Sequence, residues 1–433
     1  MTKTANWALI SVLALAVLCA LTLPAGTTTA APAAQDDFTE IFNGKDLSGW
    51  EGDPRLWSVE DGAIRGETTE EKKADGNTFL IWQGGTLKNF VLKLKFRVEE
   101  GNSGVQYRSS VEDQWRVVGY QAEVDNQLGD VGELYDEGKR AHLARVGQFT
   151  IIGDDGNRQQ IGQVASKKHL EEAGYYQPGE WNEYTIIARG NHLAQYINGY
   201  QTVEVIDNDP DGRAMEGVLA LQLHAGPPMA VEYKDIRVRQ LDQDYGEAFR
   251  LFNGKNLEGW TCPIEGAEEA WNVKDGAIAT TGSPVGYIRT TDKYTNYVLR
   301  LQYRHITEGN GGVLLRVHGE DKVWPRSMEA QGWSTNVGDI FHIGGFPMKT
   351  DPERTHGRRT QKLHDDLERP IGNWNNYEIY VNGGNLRIYL NRVLQNYAEE
   401  CKVVPGHIGL QSEGSRMQFR NIVLIPIESP EQD

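Results

Sequence analysis

Apolar and polar residues alternate along several short segments of the chain. In residues 91–98, with the sequence VLKLKFRV, apolar and basic residues alternate with the period of two that a half-buried β-strand requires. Residues 184–189 and 193–197 are two more apolar runs, joined by a short polar turn, and they predict a hairpin. Since no long segment carries the helical period, the pattern predicts an all-β protein.

Turn signals separate these short runs throughout the chain. Asn198-Gly199, Asp61-Gly62 and Asp275-Gly276 combine residues that tolerate positive φ. Many short strands with frequent turns predict a β-sandwich or jelly roll. Two long, turn-rich insertions, residues 153–179 and 344–371, are of a length that is usually functional or mobile.

The chain repeats itself in order, which indicates a duplicated domain. The opening segment IFNGKDLSGW returns as LFNGKNLEGW, and three further segments return in the same sequence. The matched pairs are residues 41–50 with 251–260, 57–64 with 271–278, 89–97 with 296–304, and 101–105 with 309–313. We therefore predict two tandem sandwiches, a first copy at 38–241 and a second copy at 248–427, with the boundary in the polar stretch 240–247.

The N-terminal 33 residues have the features of an export signal. Lys3 precedes an apolar stretch from about residue 7 to 23, and Ala31-Pro32-Ala33 resembles a cleavage site. We predict a signal peptide at 1–33 and export to the periplasm, the cell surface or the medium, with no transmembrane segment after cleavage. An uncleaved anchor, or a lipoprotein anchored at Cys19, is the alternative.

Charge and composition narrow the partners. The 433 residues carry a net charge of −17, and no Lys/Arg-rich run stands out, so nucleic acid is a poor partner. Eleven Trp residues are present, a residue type that packs in cores and also stacks on sugar rings.

Strand alternation predicts one polar face in the first copy, because side chains i and i+2 share a face. Three predicted strands, around residues 105–108, 120–125 and 219–224, each place polar residues opposite apolar ones. The resulting patch comprises Gln106, Arg108, Gln121, Glu123, Asp125, Gln222 and His224. Amides, an arginine, a histidine and paired carboxylates suit hydroxyl recognition and proton transfer, although an ordinary solvated face is the simpler alternative.

The second copy keeps part of this patch with its ionisable groups rearranged. Arg316 and Gln411 match Arg108 and Gln222, while Glu329 and Gln331 exchange the amide and acid of Gln121 and Glu123. Either the copies act on different ligands, or one copy has lost catalysis and kept binding.

Other chemistries have weaker signals. No Cys/His spacing resembles a zinc site, and the Asp-rich turn at 207–211 is explained equally well by calcium and by solvation. His142, His169 and His192 are expected to be solvated. Cys262 and Cys401 remain after signal cleavage, either as one disulfide or as two free thiols.

Several motifs together resemble the 3-keto-disaccharide hydrolase domain family, once per copy. They are the FNGKDLSGW opening at 42–50, GNSGVQYR at 101–108, GYQAEVD at 119–125, GELY at 132–135, and LQ with the closing YKDI near 221–236. The resemblance implies a concanavalin A-like or glucanase-type jelly roll and a saccharide substrate. The second copy departs from these motifs at 329–333 and at Phe341.

The implied reaction is cleavage of a 3-keto glycoside. The ketone acidifies the proton on C2, a base removes it, and the oxygen on C1 leaves with help from an acid. From the strand faces we assign Glu123 or Asp125, with His224, to proton transfer, and Arg108 or a divalent metal to enolate stabilisation. Residues assigned to substrate hydroxyls are Gln106, Gln121, Tyr135 and Gln222, with Arg316, Glu329, Gln331 and Gln411 in the second copy.

Two other functions remain open at this stage. A non-catalytic carbohydrate-binding protein uses the same fold, and a surface adhesion or scaffold module is a third hypothesis.

Overall fold

Strands make up nearly all the regular structure in the computed structural model, which describes residues 37–128 and 130–428. The all-β fold of two jelly-roll sandwiches is therefore confirmed. The first half contains one short helix, α1 (Lys167–Glu172). Its strands are β1 (Thr39–Glu40), β2 (Trp50–Glu51), β3 (Trp57–Glu60), β4 (Ala63–Thr68), β5 (Thr78–Trp82), β6 (Phe90–Glu100), β7 (Asn102–Asp113), β8 (Arg116–Asp125), β9 (Leu134–Glu137), β10 (Ala141–Ala144), β11 (Gln148–Ile152), β12 (Arg158–Gln163), β13 (Asn182–Arg189), β14 (His192–Ile197), β15 (Tyr200–Asp207), β16 (Val218–Leu223) and β17 (Met229–Gln240).

The second half has strands of the same kind and one 3₁₀ turn at Ala267–Ala270. Its strands are β18 (Asp244–Tyr245), β19 (Phe249–Arg250), β20 (Trp260–Thr261), β21 (Trp271–Lys274), β22 (Ala277–Thr280), β23 (Gly286–Thr290), β24 (Tyr297–His305), β25 (Gly312–His318), β26 (Arg326–Gln331), β27 (Ile340–Ile343), β28 (Thr355–His356), β29 (Arg359–Thr360), β30 (Asn375–Asn382), β31 (Asn385–Leu390), β32 (Val393–Ala398), β33 (His407–Ser412) and β34 (Met417–Glu428).

Each half folds into two sheets that face each other. In the first sandwich the back sheet runs β12-β11-β15-β14-β13-β6-β17-β4-β3, with β1 beside β17, and the front sheet runs β10-β9-β8-β7-β16-β5-β2. In the second sandwich the back sheet runs β21-β22-β34-β24-β30-β31-β32, with β18 and β19 beside β34, and the front sheet runs β20-β23-β33-β25-β26-β27-β29-β28.

The core of each sandwich lies between its two sheets. On β6, Leu92, Leu94 and Phe96 point into the first core, while the lysines between them face outward, as the alternation predicts. Tyr107 and Ala122 enter the same core from the front sheet. The outer face of each front sheet is therefore the opposite face from the core, which is where the predicted polar patch lies.

The two back sheets pack against each other through their outer faces. Apolar residues of both halves, including Ile206 of the first and Val298 and Ile425 of the second, form one buried cluster. Arg300 of the second sandwich donates to Glu204 of the first at 2.9 Å. The layers thus follow the order front, back, back, front, and each front face is turned away from the other sandwich.

The first long insertion takes part in this contact. Residues 153–179 include β12 and α1, joined by turns and irregular segments. The carbonyl of Val164 accepts a hydrogen bond from Gln302 at 2.8 Å, and that of Gln163 accepts one from Asn421 at 2.9 Å. His192, expected to be solvated, is wholly buried beside Arg300 and Glu204, because strand β14 presents it to the second sandwich.

Three further expectations concern the termini and the thiols. The predicted signal at 1–33 lies outside the described residues. No helix within 37–128 and 130–428 is long and apolar enough to cross a bilayer. Cys262 and Cys401 are two free thiols, and burial raises the pKa of Cys401 to about 11.

Candidate active site on the first front sheet

Three neighbouring strands place a set of amides and one carboxyl on the outer face of the first front sheet. Val105, Tyr107, Ala122 and Leu221 point into the core. The intervening positions therefore point outward, and they are Gln106 on β7, Gln121 and Glu123 on β8, and Gln222 on β16. All four side chains are nevertheless buried.

A glycine allows these side chains to meet. Gly104 lies opposite Glu123 on the neighbouring strand. A Cβ at Gly104 would fall 2.4 Å from Cδ of Gln121, so any larger residue would displace that side chain. Gln121 crosses this gap and its Nε2 donates to Glu123 at 2.8 Å and to Oε1 of Gln222 at 3.3 Å.

The hydrogen bonds form a chain that ends on Glu123. Ser109 donates to Oε1 of Gln106 at 2.6 Å, and Nε2 of Gln106 donates to Gln121 at 2.8 Å. Asn102 donates to the second oxygen of Glu123 at 3.0 Å. The chain fixes the carboxyl in one orientation using neutral donors alone.

Burial without a cation makes Glu123 a poor acid. Only 8% of the residue is exposed, and no ion pair reaches it among the described residues. Burial raises its pKa to about 7; the bonds from Asn102 and Gln121 act in the opposite direction, and the charges of Glu133 and Glu137 add to the increase. At neutral pH the group therefore exchanges protons readily, which is what a general base requires.

A rim of partly exposed groups surrounds this carboxyl. Tyr135 on β9 lies opposite Gln121, and its ring meets that of His142 edge-on at 4.9 Å between centroids. Burial and nearby carboxylates raise the pKa of Tyr135, so its hydroxyl stays protonated. Glu133 is buried, contacts His142 at 3.0 Å, and has its pKa raised by burial to about 7.

Sequence reasoning missed Glu133 and His142. The signal available was the pairing of two short strands, because β9 and β10 form a hairpin that places His142 opposite Tyr135. His142 is part of the rim, and burial lowers its pKa.

Asp125 and His224 lie at the end of the same face. Asp125 is half-buried and shares the amide of Asn102 with Glu123, at 3.2 Å. His224 follows the last residue of β16 and is exposed, with its Nδ1 2.5 Å from the carbonyl of Ala225. Asp125 therefore lies beside Glu123, whereas the ring of His224 contacts the backbone of the next residue.

The expectation that Arg108 joins the polar face is wrong. Its φ of 49° falls in the left-handed region, and the β7–β8 register shifts after Tyr107, so alternation no longer holds there. The side chain is 1% exposed and donates to the carbonyls of Lys88 at 2.7 Å and Gly190 at 2.6 Å. Arg108 therefore ties backbone segments together inside the fold.

Arg316 has the same role in the second sandwich. Its φ is 51°, and its guanidinium donates to the carbonyls of Thr295, Gly383 and Lys402 at 2.8–3.0 Å. It is fully buried and does not reach the second polar face.

The distal end of the β7–β8 hairpin bends over the first face and roofs it. Val117 packs on Phe79, Ile81 and Ala220, and we call these four residues the roof cluster. The amide of Phe79 donates to the carbonyl of Trp115 at 2.9 Å, which holds the hairpin down. The roof explains why outward-facing glutamines are buried.

The second front sheet repeats this geometry with the carboxyl moved. Glu329 lies where Gln121 lies, and a Cβ on Gly312 would fall 2.7 Å from its Oε1 and 2.6 Å from Oε1 of Gln411. Both oxygens are buried and have no donor among the described residues. Burial raises the pKa of Glu329 to about 8, so a proton on Glu329 satisfies both groups at neutral pH.

Gln331 does not take the place of Glu123. Its Oε1 accepts from the backbone amides of Gly332 and Trp333 at 2.8 and 2.9 Å, which turns the side chain to its own strand. Leu314 occupies the position of Gln106, so the chain of amides is interrupted.

The predicted divalent metal has no evident ligand set. Within residues 37–128 and 130–428, no group of three or more His, Cys, Asp or Glu side chains is arranged to hold a metal ion. In the Asp-rich turn, Asp207 and Asp209 both pair with Arg140, at 2.7 and 3.1 Å.

The chain is similar to several known proteins over part of its length. A 3-keto-disaccharide hydrolase from Bacteroides thetaiotaomicron is 33% identical over 85 residues, which cover 18% of this chain and 29% of that protein. Among solved structures, a proposed glycosyl hydrolase from Parabacteroides distasonis has 20% identity and a TM-score of 0.34, covering 42% of this chain and 94% of its own. A β-glucanase from Bacillus licheniformis has 13% identity and a TM-score of 0.30, covering 42% and 98%.

The family comparison covers both halves of the chain. The model of the 3-keto-α-glucoside-1,2-lyase-like domain matches residues 37–239 and again residues 247–425. These segments include both front faces and most of the described residues. The chain therefore belongs to the family of 3-keto-α-glucoside-1,2-lyase-like domains.

Proposed function

We propose that the first sandwich cleaves 3-keto glycosides, with Glu123 as the base that removes the proton from C2. The observation that carries this proposal is the Glu123 carboxyl itself, which is buried, bonded only by neutral amides and has a pKa of about 7. Membership of the family supports a carbohydrate as substrate.

The steps balance with two groups of this face. Glu123 takes the C2 proton, and the C–H electron pair forms an enolate with the C3 ketone. The enolate expels the C1 oxygen, which takes its proton from Tyr135, and an unsaturated keto sugar remains. Water then adds its oxygen to C1 and gives its proton to Tyr135, while Glu123 returns its proton to C2. The net reaction is hydrolysis.

Neutral donors take the role first assigned to Arg108. Gln222 Nε2 is buried and has no acceptor among the described residues, so it is the donor available to a substrate oxygen or to a water that contacts one. Asp125 and His224 lie at the open end of the face and are assigned to substrate hydroxyls there.

The test is turnover of 3-keto-trehalose and 3-keto-glucosides by the purified protein, with and without chelator. We expect release of 3-keto-glucose, a slower rate with substrate deuterated at C2, and loss of turnover in E123Q. The matched control is E329Q, which changes the corresponding carboxyl of the second sandwich. Turnover by E123Q equal to that of the wild type would exclude Glu123 as the base.

The second sandwich has the features of a binding domain, and we propose that it binds saccharide without cleaving it. Burial raises the pKa of its carboxyl to about 8, and Oε1 of Glu329 receives no hydrogen bond among the described residues, so this face lacks the amide-oriented base of the first. Two exposed indoles, Trp324 and Trp333, flank the face, and Trp324 donates to Glu413 at 3.1 Å. Exposed indoles stack on sugar rings.

We also propose that residues 1–33 direct export. N-terminal sequencing of the protein recovered outside the cytoplasm should begin after Ala33. An N-terminus at Met1 would contradict cleavage.

A further inference from the structure

A cavity of about 400 Å³ lies beside the roof cluster of the first sandwich. The side chains around Glu123 do not line it. Its lining includes the tryptophan Trp115, two carboxylates, Glu51 and Asp113, and part of Trp82, whose ring packs against the first core. We propose that this cavity is a second saccharide-binding subsite, which holds an unoxidised sugar ring apart from the reacting one. The sugar class rests on the proposed function, whereas the cavity does not.

The two tryptophans have different roles, because Trp82 packs toward the core and Trp115 lies in the bent hairpin. The ring of Trp82 lies against Gly84, where a Cβ would fall 2.0 Å from Cζ2 of the ring. Trp115 has a left-handed φ of 58°, and its carbonyl accepts from Phe79. Its Nε1 is buried and has no acceptor among the described residues. Trp115 and the apolar residues Ile81, Val111 and Val218 give the cavity an apolar surface, which suits the C–H face of a sugar ring.

In the corresponding region of the second sandwich, an ion pair lies where the first sandwich has the cavity. Arg289 takes the place of Ile81 in the strand register, and Asp321 aligns with Asp113 in the sequence repeat, although it follows the end of β25. Arg289 donates to both oxygens of Asp321, so one ion pair joins β23 to the bent hairpin. In the first sandwich Ile81 offers no charge, and the donor to Asp113 is the adjacent amide of Gln114 at 2.7 Å.

The negative charge of Glu51 and Asp113 determines which class of ligand can bind in this cavity. Glu51 and Asp113 have no ion pair within the described residues, and anions are disfavoured beside them. The hydroxyl groups of a neutral sugar can donate hydrogen bonds to Glu51 and Asp113, while its ring stacks on Trp115. The volume falls within the range of about 300–1,000 Å³ typical of small-molecule sites.

The experiment measures binding of maltose, trehalose and cellobiose by titration calorimetry and saturation-transfer NMR on the full protein. All measurements use a W324A/W333A background, which removes the indoles proposed to bind saccharide in the second sandwich. We expect at least one of the disaccharides to bind, and W115A or D113N to weaken that binding at least tenfold. I81R rebuilds the ion pair of the second sandwich and should abolish binding at this subsite. W181A is the control, because Trp181 stacks on Lys234 at 3.9 Å on the back sheet.

The outcomes separate this proposal from the proposed reaction. E123Q should keep full binding of unoxidised disaccharides, so loss of turnover with retained binding supports both. Binding that is unaffected in I81R, W115A and D113N would overturn the subsite, as would binding of tetramethylammonium in place of every sugar. Thermal unfolding shows which variants are folded, and if I81R is not, W115A and D113N decide.

Discussion

The two front faces share a framework and differ in where one carboxyl lies. Both keep a glycine, Gly104 or Gly312, over which side chains of neighbouring strands meet. In the first face the carboxyl receives two amide donors; in the second it faces the oxygen of Gln411. The carboxyl is at Glu123 in the first face and, two residues earlier along the equivalent strand, at Glu329 in the second. This change of position alters its hydrogen-bond partners and its pKa, while the strand framework is the same.

The buried arginines teach the complementary lesson. Arg108 and Arg316 share a left-handed φ and bind backbone carbonyls in both sandwiches. A residue kept in both copies is explained by the fold they share. The groups that differ between the copies, Glu123 with Gln331 and Gln121 with Glu329, are the ones to test for function.

The largest expected effect is on turnover in the first sandwich. Loss of a general base costs about 10²–10⁴-fold in rate, so E123Q should lose that much kcat on a 3-keto glucoside while E329Q stays close to wild type. Steady-state kinetics of both variants measure the difference. Equal losses in both variants would mean that the two faces are catalytically equivalent.

The next effect concerns how far the sandwiches are independent. Arg300 and Glu204 form a buried pair across the two back sheets, and removing one partner of such a pair costs about 3–5 kcal/mol. R300M should lower the unfolding free energy by this amount and separate calorimetric unfolding into two transitions.

The control for R300M is K349M, because Lys349 pairs with Glu400 at the exposed surface, where solvent screens the pair and its loss should leave the unfolding free energy nearly unchanged. One cooperative transition in R300M would show that the apolar cluster alone couples the halves.

A third effect tests the protonated carboxyl of the second face. The pKa of Glu329 is raised from 4.5 to about 8, so its contribution to stability is full below pH 4.5 and is lost as the pH rises through 8. E329Q does not titrate and should be more stable than wild type at pH 9, by about 5 kcal/mol. At pH 5 the two proteins should unfold alike. Denaturant unfolding of both proteins at pH 5 and pH 9 measures the difference in their unfolding free energies. The same difference at both pH values would contradict the prediction.

The smallest effect is the pH profile of the first face. Because the pKa of Glu123 is about 7, kcat/KM should fall tenfold for each pH unit below that value and level off above it. In the double variant Q121E/E123Q, which copies the arrangement of the second face, this limb should be absent. A profile in wild type that is flat from pH 5 to 8 would assign the base to another group.

Strand alternation was enough to predict the sandwiches and the face shared by Gln106, Gln121, Glu123 and Gln222. It failed at Arg108, because one left-handed residue and a register shift turn the side chain inward. It also missed Glu133 and His142, since their meeting depends on the pairing of β9 with β10. The alternation of apolar and polar residues within one strand does not show which other strand it pairs with.

The buried contact between the halves was equally hidden. Arg189 and Glu378, 189 positions apart, meet at 2.9 Å across the two back sheets. In the sequence each reads as an ordinary outward charge on an amphipathic strand. Only the partner's position in space converts it into an interface residue.

The order of the four layers has a consequence for how the protein meets long glycans. With its two front faces on opposite sides of the molecule, one short oligosaccharide cannot occupy both, so the second face adds no chelate effect for such a ligand. If both faces bind saccharide as proposed, two separate polymer chains can be held at once, one on each side. The protein would then cross-link glycan chains, and it would do so only where several chains lie close to it.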